Sequence, residues 1–293
     1  MPLTSLPAVF MRGGTSKAVV FRRQDLPADE GLWPAIFLSA MGSPDPYGRQ
    51  LDGMGGGLSS LSKVCVVGPS QRRDADVDYL FAQVSVERPV VDLAGNCGNM
   101  SSAVGPFAVD EGIVAAPRDG ETTVRIFNSN TRKLILARFA VAGGRSVTEG
   151  DCRLEGVAGT GAPIRLEFLD PGGSKCGSLL PSGRTRDRLR LRDGRAVDAS
   201  LVDAGNPCAF VAAASLGLTG RELPAALEAR PDAMAALEEL RIAASQAMGL
   251  AATPEEAASL ESIPKIALVA APEDQGADIS VRMLPMGRPH RAV

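Results

Sequence analysis

The chain is nearly devoid of histidine, the side chain most often used to move protons near neutral pH. Among 293 residues there is one, His290. A Ser/His/Asp triad, a Cys/His dyad or a histidine-based zinc site would have to be built around that residue. Acid/base chemistry therefore falls to Cys, Lys, Tyr or the carboxylates, and no metal is expected. Paired cysteines are lacking too. The five, at 65, 97, 152, 176 and 208, are odd in number and form no CxxC motif, so neither a disulfide framework nor a structural zinc site is indicated. Free thiols imply a reducing compartment, and a cytoplasmic protein is expected.

No apolar run approaches the roughly 20 residues of a membrane span, and MPLTSLPAVFMRGG at the start lacks the apolar core of a signal peptide. Neither charge sign is in excess. Lys and Arg number 31 against 34 Asp and Glu, a net charge of −3. That balance gives no sign of a nucleic-acid or membrane partner, although a local basic cluster would suffice to hold a small anion.

The length allows two domains at roughly 100–200 residues each, and 32 Gly with 21 Pro point to many turns and short elements. Residues 9 to 170 read mostly as strands: AVVF (18–21), VCVV (64–67), VDYLFAQVSV (77–86), TVRIFN (123–128), LILARFAVA (134–142) and IRLEFLD (164–170) are β-branched or alternating runs between turn residues. Two segments read as helices. One is 29–42, with Pro34 tolerated near its first turn. The other, 101–112, is apolar nearly all round and so is expected to run through the middle of a sheet wrapped around it, with Pro106 expected to kink or delay it.

Between 171 and 196 the composition turns to Gly, Ser, Pro and Arg, which places a domain boundary there and divides the chain into 1–180 and 181–293. The second part repeats a strand-rich plan, with helices at about 221–248 and 253–261. The latter has Thr253 as N-cap, Pro254 at the first position and Glu256 closing a capping box. Both halves contain strands, a glycine turn and more strands, which suggests a pseudo-duplicated architecture with a cleft between the halves.

Four motifs carry candidate chemistry. MRGGTSK (11–17) is either a tight turn opening a strand or a set of donors, Arg12, Thr15, Ser16 and Lys17, aimed at an anion; its spacing and the strand after it exclude a Walker loop. RQLDGMGGGLSSLSKVCVV (49–67) is a glycine loop running into a strand headed by Lys63. Such a lysine is usually solvated, but enclosed near other cations it becomes a general base. In GNCGNM (95–100), Cys97 stands just ahead of the apolar helix, where exposed amides and the helix dipole favour a thiolate. Asn96, Gly98 and Asn99 make its surroundings a turn rich in amide donors, unlike a core, and this favours a functional thiol. The other cysteines read as structural. VDAGNPCAFV (202–211) is first of all a turn between strands, in which the Asn206 amide is also placed to meet a carboxylate.

MRGGTSK (11–17), GSPDPYGRQLDGMGG (42–56), Ser62-Lys63, DVDYLFAQVSV (76–86), GNCGNMSSAVGPFA (95–108) and RMLPMG (282–287) together resemble the PrpF family, in order and with compatible spacing from about residue 9 to 290. That family includes 2-methylaconitate, methylitaconate and 4-oxalomesaconate isomerases. The resemblance implies the diaminopimelate epimerase fold: two similar α/β domains, each a sheet rolled around a central helix, with the active site between them. It further implies a cofactor-independent 1,3 proton shift or cis-trans isomerisation of an unsaturated di- or tricarboxylate, with Lys63 as principal base and Cys97 as its acid/base partner. Arg12, Thr15, Ser16, Lys17, Ser62, Asn96, Gly98, Asn99, Asn206, Met286 and Gly287 would bind substrate, and a homodimer would be in keeping with it. Family members continue beyond the MG and His element into a second central helix, whereas this sequence stops at GRPHRAV, so the second domain is expected to be incomplete. The alternatives are a truncated, non-catalytic paralogue that binds a carboxylate or a partner, and a two-cysteine amino-acid epimerase in which Cys208 faces Cys97.

Overall fold

The computed structural model describes residues 5–273 and 276–291. Contacts divide the chain into two units, Met1–Asp170 and Pro171–Val293.

In the first unit nine strands form one sheet: β1 (Val9–Gly13), β2 (Ser16–Arg22), β3 (Lys63–Pro69), β4 (Val77–Val84), β5 (Val91–Asp92), β6 (Gly120–Asn128), β7 (Lys133–Ala142), β8 (Arg145–Ser146) and β9 (Ile164–Phe168). The order is β1-β2-β3-β4-β6-β7-β8, with β5 on β4 and β9 on β7. Helix α1 (Trp33–Met41) links β2 to β3, and α2 (Gly98–Asp110) follows β5. Strands from both ends of this order, β1 and β8, pack against α2, so the sheet curls around it. Nine of the thirteen residues of α2 are buried, as expected for a helix without a polar face.

Pro106 neither delays nor ends this helix, which runs from Gly98 to Asp110 with Pro106 inside it. Burial on every side supplies the packing that offsets the backbone bond proline cannot make. The sheet's outer face is covered by α1, whose Trp33, Phe37 and Met41 recur at i, i+4 and i+8 and pack on Val19, Phe21, Val64 and Val66. Strands β2 and β3 are thus apolar on both faces, which is why AVVF and VCVV are continuous rather than alternating.

The second unit holds β10 (Asp187–Arg190), β11 (Ala196–Asp203), β12 (Pro207–Ala212), β13 (Lys265–Ala270) and β14 (Ser280–Leu284), paired in that order. Between β12 and β13 lie α3 (Pro224–Glu228), α4 (Pro231–Ala247) and α5 (Pro254–Ser259). Pro231 breaks the helical run expected over 221–248 into α3 and α4. The Thr253 capping box of α5 is present in both directions. Buried Arg241 of α4 donates to the carbonyls of Ala257 and Leu260 and so ties α5 in place. One face of this sheet packs on α4 through Val197, Ala199, Leu201, Val211 and Leu268. The residues that alternate with them, such as Phe210, Val269 and Met283, are half-buried.

The segment from 171 to 196 is not a linker. Fully buried Asp203 accepts from Ser174 Oγ (2.5 Å), Lys175 N (2.6 Å) and Cys176 N (2.7 Å), and Gly173 N donates to the Asp203 carbonyl. This locks the glycine-rich stretch onto β11 and puts the division after Asp170. The Arg-rich text hides β10, in which Asp187 and Leu189 are buried while Arg188 and Arg190 point outward.

The five cysteines are free. Burial, with Cys97 nearby, pushes the Cys65 thiol up to about 12; burial does the same to Cys208, and burial with the Asp203 carboxylate to Cys176. Among the described residues no helix is long and apolar enough to cross a membrane.

Two outcomes are expected. A side chain at Gly105 would come within 2.7 Å of the Phe139 ring and 3.0 Å of Ala137 Cβ. Gly105→Val should therefore lower the urea midpoint, with a loss of about 1–3 kcal/mol; an unchanged midpoint would mean that α2 is not seated on β7. Because the thiolate is the nucleophile, thiols raised to about 12 stay protonated at pH 8. Iodoacetamide at that pH should leave Cys65, Cys176 and Cys208 unmodified by mass spectrometry until the protein is denatured, and rapid native labelling of all three would contradict these raised thiols.

Candidate active site

The start of α2 gathers most of the residues singled out from the sequence. Cys97 is the N-cap: its backbone is extended, and its Sγ accepts from Met100 N at 3.4 Å. Ser101 donates its hydroxyl to the Cys97 carbonyl at 3.0 Å. The two-residue turn between β1 and β2 packs directly on this helix start. A Cβ at Gly13 would stand 2.5 Å from the Asn99 carbonyl oxygen, so only glycine allows the approach, and Asn99 Nδ2 donates to Thr15 Oγ1 at 2.9 Å. MRGGTSK and GNCGNM, more than 80 residues apart, thus meet.

Beside the first turn of α2 lies a cleft of about 240 Å³, lined by Arg12, Gly14, Gly98, Asn99, Ser102 and Cys152 among others. Arg12 Nη1 donates to the Gly14 carbonyl at 2.8 Å, which places a guanidinium close to the amides of a helix N-terminus, a combination suited to anions.

Strand alternation sorts the remaining residues by face. On β2, Ser16, Ala18 and Val20 point toward α2 while Val19 and Phe21 point toward α1. Ser16 is buried on the α2 face. Lys17 lies on the other face, its Nζ 5.1 Å from the Phe10 ring centroid. The donor set expected from MRGGTSK is therefore split, and Lys17 stands apart from Cys97.

On β3 the same alternation turns Lys63, Cys65 and Val67 toward α2. Lys63 is buried, at 7% exposure, which removes the solvated reading. Its Nζ lies 5.0 Å from the Phe81 ring centroid and donates to Gln83 Oε1 at 2.5 Å. Cys65, two residues along on the same face, shares one buried cluster with Cys97. Tyr79 lies against it, with Cys65 Sγ 3.8 Å from the phenol oxygen. Burial, with the two thiols next in weight, holds the Tyr79 phenol well above its ordinary range.

Several positions act as supports. Buried Asn96 accepts from Asn128 Nδ2 at 2.7 Å. Asn130 pairs with the Phe81 backbone on both N–H and C=O and also donates to the Leu93 carbonyl. These contacts fix the loop that delivers Cys97. Buried Gln50 donates to Ser43 Oγ and Ser62 Oγ and accepts from Gly57 N, pinning the glycine loop ahead of Lys63 and assigning Ser62 to that scaffold. Gln50, Gln83, Asn128 and Asn130 were missed from the sequence. A polar residue within an otherwise apolar alternating strand, as Gln83 is in VDYLFAQV, was the available signal.

The second unit carries Asn206 in the turn between β11 and β12, half-buried, and Met286-Gly287 in a tight turn after β14. Met286 has φ of 54°, left-handed backbone that a non-glycine residue adopts at a cost. Among the described residues no group of three or more His, Cys, Asp or Glu side chains is placed to hold a metal ion.

Comparison with known proteins places these features in a family. The model of the PrpF protein family matches residues 3–293. A 3-methylitaconate isomerase from Eubacterium barkeri is 45% identical over 270 residues, covering 92% of this chain and 70% of that protein. A (4E)-oxalomesaconate Delta-isomerase from Novosphingobium sp. strain KA1 is 45% identical over 290 residues, covering 99% and 76%. The crystal structure of a methylitaconate-delta-isomerase superposes with a TM-score of 0.73 at 41% identity, covering 98% of this chain and 76% of that one. A probable proline racemase from Agrobacterium radiobacter K84, at 15% identity, a TM-score of 0.59 and coverage of 98% and 73%, shares the fold. The chain has the diaminopimelate epimerase-like fold and belongs to the PrpF family.

Proposed function

We propose that this protein is a cofactor-independent isomerase that shifts an allylic proton within an unsaturated di- or tricarboxylate of the 2-methylaconitate, methylitaconate or 4-oxalomesaconate type. The observation that carries the reading is that buried Lys63 stands on the α2 face of β3, two residues from Cys65, which shares a buried cluster with N-capping Cys97. The names of relatives at 45% identity support the substrate class.

The chemistry follows from the residue types. A proton allylic to a C=C conjugated with a carboxylate is acidified because the resulting anion is a delocalised dienolate. The Lys63 amine removes it, breaking the C–H bond as the double bond migrates. Reprotonation at the other end of the allyl system, or at the same carbon after rotation, by the lysine ammonium restores the amine directly; where the Cys97 thiol donates instead, an ammonium and a thiolate remain, and proton transfer from Lys63 to Cys97 restores both. The dienolate and the carboxylates need fixed donors. Arg12, Thr15, Ser16 and the first-turn amides of Gly98 and Asn99 supply them, while Asn96 and Ser62 act by holding Cys97 and Lys63 in place. Asn206, Met286 and Gly287 are the proposed contributors from the second unit. Free thiols fit a reducing, cytoplasmic compartment.

A two-cysteine epimerase needs a second thiol that ionises near neutrality. Cys208 is raised to about 12 by burial and stays protonated.

The test is ¹H NMR in D2O with the three substrates in parallel. Isomer formation with deuterium uptake at the allylic carbon is expected from at least one. Lys63→Ala and Cys97→Ser should each lower kcat by roughly 10²–10⁴-fold. No exchange with any of the three by folded protein would sink the isomerase reading and favour a carboxylate-binding paralogue without turnover.

A further inference from the structure

Lys63 is held by a residue to which the chemistry above gives no part. Gln83 faces Lys63 in the β3–β4 ladder and is 4% exposed. Its Nε2 donates to the carbonyls of Ser59 and Ser62, both at 2.9 Å. A side-chain amide has two N–H donors and one carbonyl acceptor. Flipped over, it would set its oxygen against two carbonyls and turn an N–H toward an amine that itself donates. Only one orientation satisfies its bonds, and that orientation aims Oε1 at Lys63 Nζ, 2.5 Å away.

A lysine donates an N–H whether protonated or neutral, so one N–H is committed to Gln83 in both states and the lone pair of the neutral amine is directed elsewhere. The row extends one strand further. Gln83 pairs with Asp92 of β5 in register, so a neutral amide occupies the position between an amine and a carboxylate. Around Lys63, β2 presents Ser16 and Ala18 on this face, β3 presents Cys65, β4 presents Tyr79, β5 presents Asp92, and the start of α2 presents Cys97.

We infer that Gln83 is the positioning residue for the proton transfer: it fixes the direction of the Lys63 lone pair and, being uncharged, leaves the amine able to give up its proton. This rests on Lys63 being the base. The amide is a good acceptor for an ammonium but not a counter-ion, so it orients the group without trapping it in the charged form. A carboxylate at the same place would favour the ammonium strongly, and an apolar side chain would neither orient nor favour it.

The variants Gln83→Glu and Gln83→Met carry the test, because an orienting role predicts opposite shifts from two side chains of similar length. The first measurement needs no substrate: competitive acetylation of Lys63 by acetic anhydride across pH, read by mass spectrometry. The labelling midpoint should rise by about one pH unit or more in Gln83→Glu and fall in Gln83→Met. The second is the pH profile of turnover. At neutral pH, kcat should fall roughly 10- to 100-fold in both variants, as for a misdirected catalytic group, with KM nearly unchanged. Gln83→Glu should regain rate as pH rises, since its lysine loses the proton later. Midpoints that stay put or move the same way in both variants, or a loss confined to KM, would overturn the inference and leave Gln83 as strand packing. Wild-type protein that turns over none of the substrates would sink the isomerase reading by itself, and the labelling midpoints would still decide whether Gln83 governs Lys63.

Discussion

A helix with no polar face must be enclosed, and the enclosure of α2 determines where the rest of the first unit goes. Met100, Ala103, Val104, Phe107 and Ala108 leave no side for water, so the sheet has to curl until β1 and β8 both touch the helix. The amides of the first turn have no partners within the helix and need to emerge where polar groups can reach them. Cys97, Thr15, Ser16 and Asn99 collect there because the helix start presents amides that need polar partners. The position of Cys97 and the hydrophobic core are thus two consequences of one packing constraint.

The same constraint explains how a lysine comes to be buried. Placing an ammonium inside a protein costs several kcal/mol unless partners replace water. Lys63 stands at the first position of β3, at the rim of the core, where alternation turns it inward beside the Phe81 ring and the Gln83 carbonyl. Further along the strand the inward positions are Cys65 and Val67, neutral residues that tolerate deeper burial. Along this inward face the strand grades from Lys63 to Cys65 and Val67, and burial pushes the Cys65 thiol up to about 12.

Much of this was legible because it depends on local patterns. The apolar circumference of 101–112 announced a wrapped helix, Thr253-Pro254-Glu256 announced the start of α5, and the glycines flanking Cys97 set it apart from a core thiol. Other features follow from contacts that local text does not record. Pro106 sits inside α2 because tertiary burial outweighs one missing backbone bond. The strand β10 was hidden because its exposed positions are arginines, and the eye reads RTRDRLRLRDGR as a charged loop unless the buried Asp187 and Leu189 are known. Lys17 and Ser16 are adjacent in sequence, and adjacency on a strand puts them on opposite faces. Gln50, Asn128 and Asn130 act on backbone groups far away in the chain, and nothing in their own neighbourhoods distinguishes them from turn residues.

The repeated plan of the two units shows that topology alone does not make the site. Strands β1-β2-β3-β4 pair antiparallel, parallel, antiparallel, with a helix between the two parallel strands, and β11-β12-β13-β14 repeat that order. A lysine opens the parallel-paired strand in each case, Lys63 on β3 and Lys265 on β13, and both point to the face away from the linking helix. Their surroundings differ. Opposite Lys63 stands Gln83, whereas extending the β13–β14 register places Pro285 opposite Lys265, which brings no side-chain acceptor. On the other flank, extending the β2–β3 register sets Ala18 beside Lys63, while Cys208 pairs with Lys265. Lys63 is enclosed and Lys265 is half-buried. With strand position and facing direction held constant, what separates the two lysines is the neutral acceptor across the ladder and the closed surroundings it stands in, and these belong to the first unit.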